Sequence, residues 1–212
     1  MSTLETAETT IHTCLVCKDQ ELIHAFIATD RNRRVDSRAF EILRCPRCGL
    51  GCTIPRLPFE ELGRYYPDEY YSLDQNLQME ASRESILFRL NRINRIKRFI
   101  PSGRLIDIGS GTGMFLKTAR DHGFKVEGLE ISKDVTAFGN KTWGLSIKHG
   151  NLHDSIFPAN RYDVVTLWHV FEHLHEPLTA AKQLFDLTKP GGFLVIAVPN
   201  FNSIQANAFR QR

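Results

Sequence analysis

Hydrophobic and polar positions follow two periods along the chain. Between residues 11 and 54, short apolar runs such as 25–27 and 39–43 alternate with polar turns, which predicts two or three short β-strands. From residue 82 to 100 the apolar residues recur every three or four positions, which predicts one helix with a single buried stripe. That stripe consists of Ile86, Leu87, Leu90, Ile93, Ile96 and Ile100.

A repeated order of strand, turn and helix follows residue 103. Strands alternating with helices at this spacing form right-handed crossovers, so the sheet is parallel and covered on both faces. The sequence therefore predicts an α/β fold with a Rossmann-like, doubly wound, mostly parallel sheet. Its predicted strands are 104–108, 125–130, 145–148, 162–167 and 193–198, and its helices 114–122, 132–141 and 177–187.

The composition fits one domain and a small module. The 212 residues are 42% apolar and 24% charged, which is ordinary for a globular chain. We expect a disordered terminus at 1–10, a module at 11–54, a Pro- and Tyr-rich linker at 55–81 and the α/β domain at 82–212. Since no apolar run approaches roughly 18 residues and the first residues lack a signal-peptide pattern, we expect no membrane span and a cytoplasmic location.

Four of the five cysteines form two C-x-x-C pairs separated by residues 18–44. In a reducing compartment, two such pairs favour a metal over disulfides, and four thiolates complete a tetrahedral structural zinc site. A redox-active pair is the alternative, but such pairs occur singly. The sequence predicts a zinc ribbon that grips an acceptor, mediates assembly or braces the N-terminus. Its ligands are Cys14, Cys17, Cys45 and Cys48.

A glycine-rich turn directly follows the predicted strand at 104–108 and precedes a helix. Glycine at every second position lets the backbone bend sharply and leaves space for a ligand. Glu130 ends the next predicted strand, and its carboxylate can accept two hydrogen bonds from a ribose diol. The predicted cofactor loop comprises Asp107, Gly109, Ser110, Gly111 and Gly113.

Two cofactor classes use such a turn, and the glycine spacing separates them. A dinucleotide site needs a small residue where this chain has Met114, because the helix must pack closely there. S-adenosylmethionine has no pyrophosphate, and its sulfonium and amino group suit an acid near the loop. Asp107 can contact its amino acid part directly or through water. An NAD-dependent oxidoreductase is the less favoured alternative.

Together these motifs resemble the class I S-adenosylmethionine-dependent methyltransferase family. The resemblance implies that Glu130 binds the ribose with Ile131 in the same site, and that Asn151 and Leu152 flank the adenine. A zinc ribbon ahead of such a domain is similar to a bacterial group associated with sugar and cell-surface glycan modification, which implies a small polar or glycan acceptor. The resemblance is carried by residues 104–113, 130, 150–152, 162–165 and 189–194.

The loop after the fourth predicted strand of the α/β domain supplies the candidate catalytic residues His169, Glu172 and His173. Ligands of open α/β sheets bind beyond the carboxyl ends of the strands, and histidine is a common base for an oxygen acceptor. His169 is also assigned to the cofactor site. The spacing matches an inverted zinc-protease motif, but that motif requires a helix. Some related methyltransferases hold a divalent metal with E-x-x-E-H, whereas this chain has His169 first. Capping of the next helix is the structural alternative.

An RNA acceptor is a less favoured alternative. Five basic residues, Arg89, Arg92, Arg95, Lys97 and Arg98, crowd the helix before the glycine turn, although the net charge is only +3. Steps of three residues drift around a helix, so these side chains spread over a broad arc. A solvated charged face is the commoner reason for such a pattern.

Only twelve residues follow Asn200, too few for the antiparallel hairpin that normally ends this fold. We therefore expect a domain that is incomplete at its C-terminus: a truncated product or a fragment, or a domain whose sheet a second copy or another chain completes. An uncovered, apolar edge strand would favour dimerisation or aggregation. A non-catalytic protein that binds S-adenosylmethionine is a further alternative.

Overall fold

A computed structural model describes residues 13–30, 35, 37–58, 61, 78, 81–154 and 157–204. The predicted disordered terminus and the four tyrosines of the predicted linker lie outside these ranges. The chain forms two compact units, Met1–Pro67 with Asn200–Arg212, and Asp68–Pro199. We call these the N-terminal unit and the α/β unit. The segment from Asn200 thus groups with the N-terminal unit, and the boundaries 11–54, 55–81 and 82–212 stay predictions.

The N-terminal unit contains an antiparallel sheet of three strands, β1 (Ile23–Thr29), β2 (Ala39–Arg44) and β3 (Gly51–Ile54), in that order. Both apolar runs identified in the sequence lie in this sheet. The sheet buries little, because Ile27 on β1 is 66% exposed. The buried apolar residues described in this unit are Cys14, Cys45, Cys52 and Leu57.

The α/β unit has a parallel five-stranded sheet with the order β6-β5-β4-β7-β8, which confirms the predicted fold class. Strand order reverses between β4 and β7, and ligands of such sheets bind beyond the carboxyl ends at this point. The elements are α1 (Arg83–Lys97), β4 (Gly103–Ile108), α2 (Met114–Asp121), β5 (Phe124–Glu130), α3 (Lys133–Trp143), β6 (Ile147–His149), β7 (Tyr162–Trp168), a 3₁₀ turn (Phe171–His173), α4 (Pro177–Leu187) and β8 (Thr188–Ala197).

Local sequence signals set the helix ends. Ser82 precedes α1, and its Oγ accepts a hydrogen bond from the Ser85 backbone N–H at 3.2 Å. Ser132 caps α3 in the same way through the N–H of Val135, and Gly144 ends that helix in a left-handed conformation. Pro177 occupies the first turn of α4, where its missing N–H costs no hydrogen bond.

The two faces of the sheet bury separate apolar clusters. On one face, Ile93 and Ile96 of α1 pack with residues of α2, Leu105 of β4 and Val164 of β7. On the other face, α4 packs with alternate residues of the same strands. Since side chains alternate along a strand, Asp107 and Thr166 point to the face that carries α1.

The predicted buried stripe of α1 is wrong in its first half. Leu87 is 56% exposed and Ile86 is 43% exposed, whereas Arg89 is only 7% exposed. The buried side follows Arg89, Ile93 and Ile96, which are four and three residues apart. Leu87 lies about 200° around the helix from Arg89 and therefore faces away from the sheet.

Strand β8 is longer than predicted and lies at the edge of the sheet. Its pairing with β7 is irregular between Tyr162 and Val164, where residues 189–192 intervene on β8. Apolar side chains on this strand, including Phe193 and Ile196, are exposed. Cover of this edge by a second copy or another chain stays a prediction. Within the described ranges, no helix combines the length and apolar character of a membrane span.

Candidate cofactor and catalytic site

The glycine turn follows β4 and forms backbone hydrogen bonds with the neighbouring strand β5. The backbone N–H groups of Gly109 and Ser110 both donate to the carbonyl oxygen of Leu129, at 2.7 and 3.0 Å. Gly109, Gly111 and Gly113 all have positive φ angles. The predicted loop residues therefore form one compact turn at the carboxyl end of the sheet, with α2 starting directly after Gly113.

Gly109 and Gly111 require glycine for different physical reasons. A Cβ on Gly109 would lie 2.4 Å from Cγ2 of Val170, so close packing excludes a side chain there. A Cβ on Gly111 would meet no atom of the described residues within 4 Å, and the φ of this residue is +55°. Gly111 is thus set in a left-handed conformation beside open space, as expected where a ligand lies against the backbone.

Glu130 is buried and holds the turn from the end of β5. Its Oε2 accepts from the Gly111 N–H at 2.8 Å, and its Oε1 accepts from the Ser132 N–H at 3.0 Å. Each carboxylate oxygen keeps a further lone pair, so these contacts leave room for a diol. Ile131, the next residue, is exposed at the rim of the site.

Asp107 is buried in the sheet beside Thr166 of β7. The Thr166 Oγ1 donates to Asp107 Oδ1 at 2.6 Å. Burial raises the pKa of Asp107 to about 8, and the Thr166 hydrogen bond and the charge of Arg92 only partly oppose this. The guanidinium of Arg92 lies 3.9 Å from the ring centre of Trp168 and 4.1 Å from that of Phe88.

Thr166 and Arg92 were not among the predicted site residues. A signal for Thr166 was present, because it is the one polar residue in the apolar run 164–167. No local signal distinguishes Arg92 from its basic neighbours. Ser110, which was predicted, is buried, and its Oγ has no hydrogen-bond partner among the residues that the structure describes.

Asn151 and Leu152 follow β6, as the prediction required, but their side chains have structural roles here. The Asn151 Oδ1 accepts from the Asp154 N–H at 2.9 Å, and its Nδ2 donates to the Asp154 carboxylate. Leu152 is buried in the cluster on the α4 face. Contact of these two residues with an adenine stays a prediction.

The candidate catalytic residues lie just beyond β7. His169 has a left-handed backbone, with φ of 58°, and its Nδ1 lies 3.6 Å from Glu172 Oε1. Such a conformation is uncommon for residues other than glycine and is found at functional sites. Glu172 and His173 lie in the 3₁₀ turn, and the residue at the N-cap of α4 is Glu176, which makes no capping bond. The structure thus brings His169 and Glu172 together and does not support the capping role.

A cavity of about 380 Å³ lies between α1, the end of β7 and β8, and His169 lines it. Its other walls are mostly aromatic and aliphatic, with Phe88, Arg92, Trp168, Phe193 and Val195 among them. This cavity lies on the α1 face of the sheet, on which Asp107 also lies. It provides space for a molecule next to His169.

The four predicted zinc ligands converge in the N-terminal unit. Their Sγ atoms all lie within 4.8 Å of one another, and all are free thiols. The Sγ atoms of Cys14 and Cys48 are 3.5 Å apart, and those of Cys17 and Cys45 are 3.4 Å apart. A zinc ion with bonds of about 2.3 Å places sulfurs about 3.8 Å apart, so this donor set fits zinc.

The two C-x-x-C turns, which we call knuckles (residues 14–18 and 45–49), have matching backbone hydrogen bonds. The Lys18 N–H donates to Cys14 O at 3.1 Å, and the Gly49 N–H donates to Cys45 O at 2.9 Å. Both donors have left-handed φ angles, of 60° and 77°. In the described part of the chain, these cysteines form the one group of three or more potential metal ligands. His169, Glu172 and His173 do not form such a group.

The basic residues of α1 do not share one solvent face. Arg89 is buried, Arg92 is stacked on two rings, and the Nζ of Lys97 donates to the His122 carbonyl at 3.0 Å. Arg95 and Arg98 are the exposed members of the set. This division weakens the RNA alternative, which needs a continuous basic surface.

Comparisons with known proteins identify the family of this chain. A family model described as a methyltransferase domain matches residues 80–211. The ubiquinone biosynthesis O-methyltransferase of Burkholderia thailandensis is 26% identical over 135 residues, which are 61% of this chain and 58% of that protein. A protein of the same name from Shewanella halifaxensis is 30% identical over 120 residues, which are 54% and 51% of the two chains.

The chain therefore spans somewhat more than half the length of these curated relatives. Among experimental structures, DesVI of Streptomyces venezuelae has a TM-score of 0.54 and 19% identity, and the match covers 63% of this chain and 58% of that one. This likeness is one of fold. Because the family model matches well over half of its residues, the chain belongs to the methyltransferase domain family.

Proposed function

We propose that this protein transfers a methyl group from S-adenosylmethionine to a hydroxyl of a small polar acceptor, such as a sugar or glycan. The observation that carries the proposal is the buried Glu130 carboxylate bonded to the N–H of Gly111, beside open space. Membership of the family supports the reaction. The similar proteins named as O-methyltransferases support an oxygen acceptor.

The residues toward the cofactor have separate tasks in this proposal. Gly109, Gly111 and Gly113 shape the turn, Glu130 binds the ribose hydroxyls, and Asp107 faces the amino acid part. When bound, S-adenosylmethionine supplies a methyl group on a sulfonium that is already a good leaving group. The protein therefore acts mainly by positioning the acceptor and excluding water.

A hydroxyl acceptor must lose its proton, and His169 is the proposed base. Its side chain is exposed and lines the cavity, and the Glu172 carboxylate lies 3.6 Å from Nδ1, where it would stabilise the imidazolium that forms when the ring takes the proton. His173 is the second candidate. The mostly apolar cavity walls suit the C–H face of a sugar ring or the face of a planar acceptor.

We also propose that Cys14, Cys17, Cys45 and Cys48 hold a structural zinc ion in a ribbon at residues 11–54. Four thiolates leave no open coordination position, so the ion stabilises the fold and does not act on a substrate. A cytoplasmic location is consistent with four free thiols.

Transfer of a labelled methyl group tests the proposed reaction. Purified protein is incubated with methyl-labelled S-adenosylmethionine and a panel of sugars, nucleotide sugars and phenols, and product is counted. We expect label in a hydroxyl-bearing acceptor and a loss of about 10²- to 10⁴-fold in kcat for His169→Ala. His175→Ala, at a neighbouring histidine outside the proposed site, serves as the control. Transfer to RNA alone would contradict the proposed acceptor class, and no transfer with intact cofactor binding would favour the non-catalytic alternative.

A further inference from the structure

Thr166 makes a short buried hydrogen bond to Asp107, at 2.6 Å, although the proposed reaction itself does not use its hydroxyl. We propose that Thr166 is a positioning residue, whose hydroxyl fixes the orientation of the Asp107 carboxyl group toward the cationic part of the cofactor. This inference rests on the proposed function, since it assigns Asp107 to the cofactor. Thr166 would not touch the cofactor itself.

The geometry makes the Thr166 hydroxyl a donor to the carboxyl group. Two acceptors lie near its Oγ1, Asp107 Oδ1 at 2.6 Å and the Ile106 carbonyl oxygen at 3.3 Å. The hydroxyl has one hydrogen, and the shorter contact takes it. Thr166 is fully buried and Asp107 is 2% exposed, so water does not compete for this bond.

The positions of Asp107 and Thr166 in the sheet place their hydrogen bond beside the expected ligand site. Asp107 and Thr166 are direct partners in the register of β4 and β7. These two strands flank the point where the strand order reverses, at which ligands of this fold class bind. The next residue of each strand is apolar and points to the other face. Thr166 is therefore placed to hold the one acid that β4 presents on the α1 face.

The charges around Asp107 explain why it needs such a partner. Arg92 of α1 favours the anion, whereas Glu130 of β5 and burial oppose it. Arg89 is close enough to interact electrostatically with Arg92, and it adds a second positive charge on the same helix. No ion pair of Asp107 within 4.0 Å occurs in the described residues, so the Thr166 hydroxyl is its nearest stabilising group. A hydrogen bond to a charged group is stronger than one between neutral groups.

Thr166→Val removes the hydroxyl and keeps the shape of the side chain, and Thr166→Ser keeps the hydroxyl. Calorimetry with S-adenosylmethionine at pH 7 gives the affinity, and a carboxyl-carbon NMR titration of the ligand-free protein gives the pKa of residue 107. We expect Thr166→Val to weaken binding by about 10- to 100-fold and to raise the Asp107 pKa further. Thr166→Ser restores both. Thr166→Ala removes the same hydroxyl and replaces the valine variant if that one does not fold.

The double variant Asp107→Asn/Thr166→Val separates positioning from general damage. If Thr166 acts through Asp107, the valine substitution weakens binding much less once residue 107 is already an amide. Equal weakening in both backgrounds, or wild-type affinity and an unchanged Asp107 titration in Thr166→Val, would overturn the inference. Failure of the wild-type chain to bind S-adenosylmethionine would instead overturn the proposed function, and the titration of Asp107 would still measure its link to Thr166.

Discussion

The two units of this chain are held together by different means. In the α/β unit, two apolar clusters cover both faces of a sheet, with residues such as Leu105 and Leu184 fully buried. In the N-terminal unit, three of the four buried apolar residues described are cysteines, and a strand residue such as Ile27 is largely exposed. Burial of apolar surface therefore accounts for the stability of the α/β unit and not for that of the N-terminal unit. A sheet this small needs a metal or another cross-link.

Removal of zinc from the N-terminal unit is expected to have the largest effect on stability. Structural zinc contributes about 10–16 kcal/mol in comparable small modules, so a chelator or Cys45→Ser should unfold the N-terminal unit. Metal analysis and NMR spectra of β1–β3 measure this. Both tryptophans, Trp143 and Trp168, lie in the α/β unit, and their fluorescence should stay native.

Cys52→Ala is the matched control for the zinc prediction. Cys52 is buried but is not in the group of four thiols. The variant should keep one zinc ion per chain and lose only the packing of a sulfur atom. Loss of zinc from this variant, or a native N-terminal unit without metal, would mean that the four thiols are not what stabilises this unit.

In the α/β unit, deletion of a core side chain should destabilise by less than loss of zinc does in the other unit. Leu184→Ala leaves a cavity in the α4 cluster and should cost about 2–5 kcal/mol of unfolding free energy. Phe185→Ala, at the neighbouring position with 74% exposure, should change it by less than about 0.5 kcal/mol. Denaturation followed by tryptophan fluorescence distinguishes them. Equal costs would show that α4 does not pack as described.

Asp107 makes the α/β unit sensitive to pH. Its pKa is about 8 in the folded unit and about 3.9 in an unfolded chain, so the folded state holds an extra proton between these values. The stability from this proton is complete below about pH 4 and is lost as the pH rises through 8. Asp107→Asn should therefore raise the melting temperature at pH 8 by at least about 2–4 °C relative to the wild type, and by less at pH 4.

The same group should couple ligand binding to proton release. If a cationic cofactor needs the ionised carboxylate, binding at pH 7 should release close to one proton, about 0.9 by titration of a group with a pKa of about 8. Calorimetry in buffers of different ionisation enthalpy counts the protons. Asp107→Asn should abolish the release, and a release that persists in this variant would assign it to another group.

The smallest expected effect lies in the matching knuckles. Lys18 and Gly49 have equivalent left-handed conformations, but only glycine adopts this conformation without steric cost. Lys18→Gly should stabilise the zinc-bound N-terminal unit by up to about 1 kcal/mol, and Gly49→Ala should destabilise it by about 1 kcal/mol. Zinc retention against a competing chelator measures both changes. Easier loss of zinc from Lys18→Gly, or better retention of zinc by Gly49→Ala, would contradict the equivalence of the two C-x-x-C turns.

Local periodicity and the residues that start or stop helices were enough to predict most element boundaries from the sequence. The bounds of α4 agree with the structure, and Ser82 and Ser132 mark the starts of α1 and α3. The cysteine spacing predicted which thiols converge, because each C-x-x-C turn is local. The Asp107–Thr166 bond could not be predicted in this way, since it depends on β4 and β7 being neighbours although the residues are 59 positions apart.

Burial within α1 was a second limit. Periodicity identifies apolar positions, but it does not show which of them face the sheet or how far along a helix the covering sheet extends. Leu87 and Ile86 lie in the first turns and stay exposed, while Arg89 is buried. A long side chain with an aliphatic stem can occupy an interior position that a sequence pattern reserves for an apolar residue.

Binding of S-adenosylmethionine to Glu130 variants tests whether the glycine turn and Glu130 hold this cofactor. Glu130 accepts from two N–H groups, whereas a glutamine offers one oxygen and would turn an NH₂ toward the other N–H. We predict clear calorimetric binding of S-adenosylmethionine to the wild type, at least about 10-fold weaker binding to Glu130→Gln, and wild-type affinity in the control Glu176→Gln. Absence of heat with S-adenosylmethionine and its demethylated product, together with tight binding of a nicotinamide dinucleotide, would contradict the account.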